Sequence, residues 1–179
     1  MICSQVTPED LDQISFHCGH AGINDYFREK FLWDEDAVPY CFWADAEKTE
    51  LVGIAALSCS GIVIHSGSYF NLTPAIEIKI FALDEKYQHQ VFPNSGEDQG
   101  HWSDYCLYYL IQLIYTIVET QCGANHIVLY SAPEAVTFYQ RHGFDSFVEL
   151  MEMPSNRFIE GCIPCLLYTS DAADDRISV

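Results

Sequence analysis

The chain has 179 residues, enough for one domain with a complete apolar core and too few for two of ordinary size. Hydrophobic residues make up 49% of it, which excludes a wholly disordered polymer. No apolar run reaches the eighteen or so residues of a membrane span, and no basic-then-apolar leader opens the chain, so a cytoplasmic protein with no membrane partner is expected. Lys and Arg number 8 against 26 Asp and Glu, a formal net charge of -18. A surface of that sign repels phosphate backbones, and on this ground no nucleic acid is expected as a partner.

In chain order, Thr7-Pro8-Glu9-Asp10 has the make-up of a helix start: a Thr cap, Pro in the first turn, acids beside it. That helix is expected to end near Cys18-Gly19, and Ile23, Tyr26, Phe27 and Phe31 predict a second over 22–32. Strands are expected at Tyr40–Asp45 and Leu51–Cys59, joined as a hairpin through the polar residues 47–50. Residues 61–73 read as a strand end plus a loop, and Ala75–Leu83 as a third strand carrying Glu77 and Lys79. The polar, aperiodic stretch from Gln88 to Trp102 is expected to be a loop.

Ser103 or Asp104 is the expected cap of the best helix, whose stripe runs Leu107, Leu110, Ile111, Ile114, Ile117, Val118 and stops at Cys122-Gly123. A short buried strand follows at His126–Tyr130. Ser131-Ala132-Pro133-Glu134 has the form of a capping box for a further helix closed by His142-Gly143. Phe147–Met153 alternates as a strand, and Phe158–Pro164 begins another. A short strand at Met1–Val6 completes the order. It predicts an α/β (α+β) fold: a mixed, partly antiparallel central sheet of about six to seven strands with helices on both faces.

The string from Cys165 to Asp174 is similar to a sequencing adapter translated in frame. That similarity predicts a domain of residues 1–164 with its last strand cut short, and a non-native tail over 165–179. The Cys162-x-x-Cys165 pair then loses a member, and the seven other cysteines read as reduced, mostly buried thiols. His17, Cys18 and His20 crowd together without a second ligand cluster, so no metal site is expected.

Three strings resemble the GCN5-related N-acetyltransferase (GNAT) superfamily. Phe16-His-Cys-Gly with Ile23-Asn-Asp-Tyr-Phe-Arg-Glu is similar to the opening helices of its toxin-like branch. Ile78-Lys-Ile-Phe-Ala-Leu-Asp-Glu-Lys-Tyr-Gln88 is similar to its fourth strand and cofactor loop, and Phe138-Tyr139-Gln-Arg-His-Gly143-Phe144 to its Phe-Tyr-x-x-x-Gly-Phe motif. The resemblance implies an acyl-CoA N-acyltransferase-like fold with acetyl-CoA as co-substrate. It implies that the pantetheine arm lies along Phe81, Ala82 and Leu83 as an added strand, where main-chain N–H groups polarise the thioester. Tyr139 is implied as the acid that protonates the departing thiolate. Glu77, the one acid within the fourth strand, is a candidate base through a water; its other reading is a surface partner for Lys79.

Gln88 and Ser103 flank the segment where the family holds the cofactor's phosphates, and both are candidate cofactor residues. There the chain departs from the family pattern. His89, Gln90 and Val91 stand where glycines would let main-chain N–H groups converge on the pyrophosphate. Glu97 and Asp98 add negative charge, no Lys or Arg lies between Lys86 and Arg141, and Ala132 replaces the family's usual Asn. Two functions are therefore expected. One is acetyl transfer to the amine of a cationic small molecule or a protein, drawn in by an acidic surface. The other is a catalytically degenerate GNAT-fold domain acting as a binding or assembly module.

Overall fold

The structure, a computed structural model, describes residues 1–11, 14–66, 68–93, 99–147 and 161–169. Seven strands form one sheet in the order β1-β2-β3-β4-β5-β7-β6. They are β1 (Ile2–Gln5), β2 (Val38–Trp43), β3 (Leu51–Ser66), β4 (Tyr69–Leu83), β5 (His126–Ser131), β6 (Asp145–Ser146) and β7 (Ile163–Tyr168). The helices among the described residues are α1 (Pro8–Leu11), α2 (Ala21–Glu29), α3 (Trp102–Thr120) and α4 (Val136–Arg141). β4 and β5 run parallel, whereas β1–β2, β2–β3, β5–β7 and β6–β7 are antiparallel. This is the expected mixed sheet. No described helix is long and apolar enough to cross a membrane.

The chain divides into two compact units, Met1–Leu57 with Ile80–Leu113 and Ser58–Lys79 with Ile114–Val179. In the first, Phe16, Tyr26, Phe31, Trp43, Ile54 and Ile80 pack into one core. Its helix starts are satisfied by side chains. The Asp10 carboxylate accepts both the Thr7 N–H and the Thr7 hydroxyl at 2.9 Å, which caps α1. His20 caps α2, its Nδ1 accepting the Ile23 N–H at 3.3 Å. In the second unit Ile62, Ala75, Val128 and Leu166 form a smaller core.

Several expectations need correction. α1 is a single turn ending at Leu11, and α2 occupies Ala21–Glu29 rather than 22–32. Residues 61–73 are not a strand end and loop: β3 continues to Ser66 and β4 begins at Tyr69. Gly123 is not a left-handed terminator, since the positive φ values at described glycines are those of Gly19, Gly143 and Gly161. α3 instead closes with the Gln121 and Cys122 N–H groups on the Ile117 carbonyl, at 2.8 and 3.1 Å. The expected capping box does not form. Ser131 donates its hydroxyl to the Ala132 carbonyl at 2.8 Å, and a 3-10 turn at Pro133–Ala135 leads into α4 with no side-chain cap.

A strand was expected at Phe147–Met153; β6 lies just before it at Asp145–Ser146, with the Phe147 N–H on the Pro164 carbonyl at 2.9 Å, and residues 148–153 lie outside the described residues. Cys165–Tyr168, assigned by the adapter reading to the tail, are the last four residues of β7. They run from Leu129↔Cys165 to His126↔Tyr168 against β5, and Cys165 and Leu166 are buried. Consecutive buried residues, Pro164, Cys165 and Leu166, mark the middle of β7 as covered on both faces.

Candidate active site

In the first unit the candidate site is the end of β4 and the turn after it. The Asp84 N–H donates to the Val52 carbonyl of β3 at 2.9 Å, and the Ala82 carbonyl lies 2.7 Å from where a Cβ on Gly53 would stand. Main-chain groups alternate in direction along a strand, so the groups of Ala82 and Asp84 face β3 and those of Phe81 and Leu83 face the opposite edge. The β4–β5 ladder runs from Ala75↔His126 to Ile78↔Leu129, so Phe81, Ala82 and Leu83 lie beyond it. The Phe81 ring meets the Phe42 ring edge-on at 5.9 Å, which holds this strand end in place.

The turn after β4 is held by buried Asp84, which sequence reasoning missed as an organising residue. Its carboxylate accepts the His17 N–H at 2.9 Å and the Lys86 N–H at 3.1 Å. Gln88, a predicted cofactor residue, uses its amide structurally: Nε2 donates to the Leu83 and Cys18 carbonyls, each at 3.0 Å. His17 Nδ1 sits 3.0 Å from Glu85 Oε2. Cys18 donates from its N–H and its thiol to Asn24 Oδ1, at 3.0 and 3.3 Å. With His20 capping α2, each member of the His17-Cys18-His20 cluster has a structural partner. Among the described residues no group of His, Cys, Asp or Glu suits a metal ion.

The segment expected to be a loop between Gln88 and Trp102 folds back on itself at its base. Val91 bridges His101, the Phe92 N–H donates to the Gly100 carbonyl at 2.8 Å, and the Trp102 N–H to the Gln90 carbonyl at 3.0 Å. The Phe92 ring packs at 4.7 Å from Trp102 and 4.3 Å from Tyr105. Ser103 does not cap α3: the Asp104 carboxylate does, accepting the His101 N–H at 2.8 Å. The positive end of the helix dipole, where the resemblance implies a phosphate site, thus has a resident carboxylate. Glu97 and Asp98 lie outside the described residues, as does Gly96.

In the second unit Tyr139 lies on α4 and is 8% exposed. The end of α4 explains its surroundings. Gly143 takes φ +88°, a left-handed value that favours glycine, and the Phe144 N–H returns to the Tyr139 carbonyl at 3.1 Å. Phe144 is thereby folded under the helix with its ring 5.7 Å from that of Tyr139. Burial, with Cys165 nearby, pushes the Tyr139 phenol above its ordinary range, so it keeps its proton at neutral pH. Glu77 lies on β4 opposite Val128 of β5, half-buried and two positions from Lys79.

Comparison with known proteins supports the fold at low sequence identity. No family sequence model matches the chain, and no curated protein matches it. The fold is shared with solved structures of the KacT and AtaT toxins. A Tyr→Phe mutant of the AtaT toxin superposes with a TM-score of 0.70 at 15% identity, over 96% of this chain and 91% of that one. A Tyr→Phe mutant of KacT gives 0.68 at 15% identity, over 96% of both chains. AtaTR bound with acetyl-CoA gives 0.66 at 15% identity, over 96% of this chain and 95% of that one.

The same comparison corrects the expectation about partners. Structures of this fold include a KacTA–DNA complex and AtaT complexed with acetyl-methionyl-tRNAfMet. Net charge therefore does not license the exclusion of nucleic acid, nor the confinement of the acceptor to small molecules and proteins. Whole-chain charge governs long-range attraction, whereas phosphate contacts depend on a few local donors.

Proposed function

We propose that the chain is a cytoplasmic acetyl-CoA-dependent N-acetyltransferase. The observation that carries this reading is the end of β4, where Phe81, Ala82 and Leu83 continue past the β5 ladder in a fold that AtaTR uses with acetyl-CoA. A pantetheine arm laid along that edge would pair with main-chain groups as an added strand does. A donor aimed at the thioester oxygen there would stabilise the oxyanion formed when an amine attacks. As the tetrahedral intermediate collapses, the C–S bond breaks and Tyr139 gives its proton to the leaving thiolate. A buried, neutral phenol has the right protonation state for that step. Glu77, acting through a water, is the candidate acceptor for the proton lost by the amine.

Two observations favour a second reading, a degenerate domain that binds or assembles without catalysis: the α3 N-terminus already holds the Asp104 carboxylate, and His89, Gln90 and Val91 stand where the glycines of a phosphate nest would be. Thermal unfolding with and without coenzyme A separates the two, because a ligand of the native state raises the midpoint as its concentration rises. Acetyl transfer is then assayed with labelled acetyl-CoA. Aminoacyl-tRNA is the first acceptor to test, given the AtaT complex. No midpoint shift at millimolar coenzyme A would leave the second reading standing.

A further inference from the structure

We propose that Met1, Cys3 and Cys106 form an all-sulfur site for copper(I) between the start of β1 and α3. The Cys106 thiol lies 3.6 Å from Met1 Sδ and donates to it. Cys3 comes two positions after Met1. Side chains alternate along a strand, so both face the side of the sheet on which α3 places Cys106. The register agrees. Cys3 stands opposite Phe42, whereas Ile2 and Ser4 stand opposite Trp43 and Cys41, which lie in the core with Phe16 and Tyr26. Burial, with Cys3 close by, pushes the Cys106 thiol up. All three residues belong to the first compact unit.

The donor set selects the ion. Zinc as a rule takes four ligands from Cys, His and carboxylates, and among the described residues no third His, Cys, Asp or Glu joins the two thiols to make a metal group. The third donor here is a thioether, and thiolate with thioether is the set that copper(I) favours. Two sulfurs 3.6 Å apart can share one ion at sulfur–metal distances of about 2.3 Å.

Charge favours a monovalent ion as well. Burial pushes Cys3 up to about 12 and Cys106 higher, so the empty site holds neutral thiols. Copper(I) takes the place of the proton that Cys106 shares with Met1. The S–H bond breaks, the proton leaves to solvent, and a copper–sulfur bond forms, with Cys3 and Met1 as neutral donors. One positive charge replaces another, and the buried site stays neutral.

Copper(I) titration of the full chain tests this, with Cys59→Ser and Cys122→Ser in place so that the exposed thiols do not compete. Under ascorbate and without oxygen, one copper(I) per chain should be held against bicinchoninate, and the melting midpoint should rise with loading. X-ray absorption at the copper edge should find sulfur neighbours alone, and one selenium neighbour in protein grown on selenomethionine. Cys106→Ala should weaken retention by more than the roughly 10–100-fold that loss of an outer partner costs. If circular dichroism finds that variant unfolded, Cys3→Ala, at a half-buried residue, decides by the same readout. No copper held against the chelator, nitrogen or oxygen neighbours, no selenium neighbour, or retention unchanged in the alanine variants overturns the proposal.

Discussion

Buried Asp84 accepts the main-chain N–H of His17 at 2.9 Å, joining the segment before α2 to the end of β4 across sixty-seven positions of sequence. Its second oxygen takes the Lys86 N–H. Asp84→Ala leaves both donors without their acceptor and should cost about 1–3 kcal/mol, read as a lower urea midpoint. Glu85→Ala removes an exposed pair with His17 and should cost under about 1 kcal/mol.

Tyr139→Phe tests the acid. Loss of the hydroxyl should lower kcat by roughly 10²–10⁴-fold, with KM for acetyl-CoA little changed and the melting temperature within a few degrees of the parent. A fall in stability with turnover retained would assign the side chain to packing alone.

The buried phenols also fix how stability responds to alkali. Tyr139 and Tyr26 are both pushed above their ordinary range, Tyr139 mainly by burial and Tyr26 by burial and its bond to Asp34. A group that holds its proton more tightly when folded contributes stability in full below its unfolded pKa. That contribution is lost as pH climbs toward the folded value. Unfolding free energy should therefore decline above about pH 10, the unperturbed value for tyrosine, and Tyr139→Phe should flatten that decline.

Asp104→Ala removes the carboxylate from the start of α3. If coenzyme A places phosphate there, the variant should bind it more tightly by up to about fivefold, the scale of one charge at a helix end. The same change should lower stability by about 1 kcal/mol through loss of the cap. Isothermal titration and urea unfolding read the two effects separately.

Thiol chemistry should follow burial. Cys59 and Cys122 are exposed, whereas burial pushes Cys3 up to about 12 and raises Cys41 and Cys106 further. An aromatic disulfide reagent at neutral pH should react rapidly at Cys59 and Cys122, and Cys59→Ser with Cys122→Ser should abolish the rapid phase.

Much of the architecture was legible because it rests on local rules. The stripe of Leu107, Leu110, Ile111 and Ile114 repeats at helical period, and all four are buried in α3. Gly143 was legible because the turn after α4 needs the φ that glycine permits. The strand pair β3–β4 was not: Ser58–Thr73 mixes β-branched residues with Ser, Gly and Asn, and of its described residues only Ile62 is buried, too little for a pattern. The cap of α3 was legible only as a choice between Ser103 and Asp104, and the His101 N–H decides it for Asp104. The candidate site rests on strings, Phe81–Leu83 and Phe138–Phe144, whereas the structural use of Gln88 and the tie from Asp84 to His17 depend on contacts that no local window contains.

β7 lies between β5 and β6, and among the described strands β6 pairs with β7 alone. On the ribosome, Asp145–Ser146 must therefore emerge before the strand that receives it, and His126–Ser131 wait with one hydrogen-bonding edge bare until Ile163–Tyr168 arrive. This half of the molecule cannot grow strand by strand. It closes in one late insertion, and a nascent chain stalled before that moment would offer an apolar edge to chaperones or to its neighbours on a polysome.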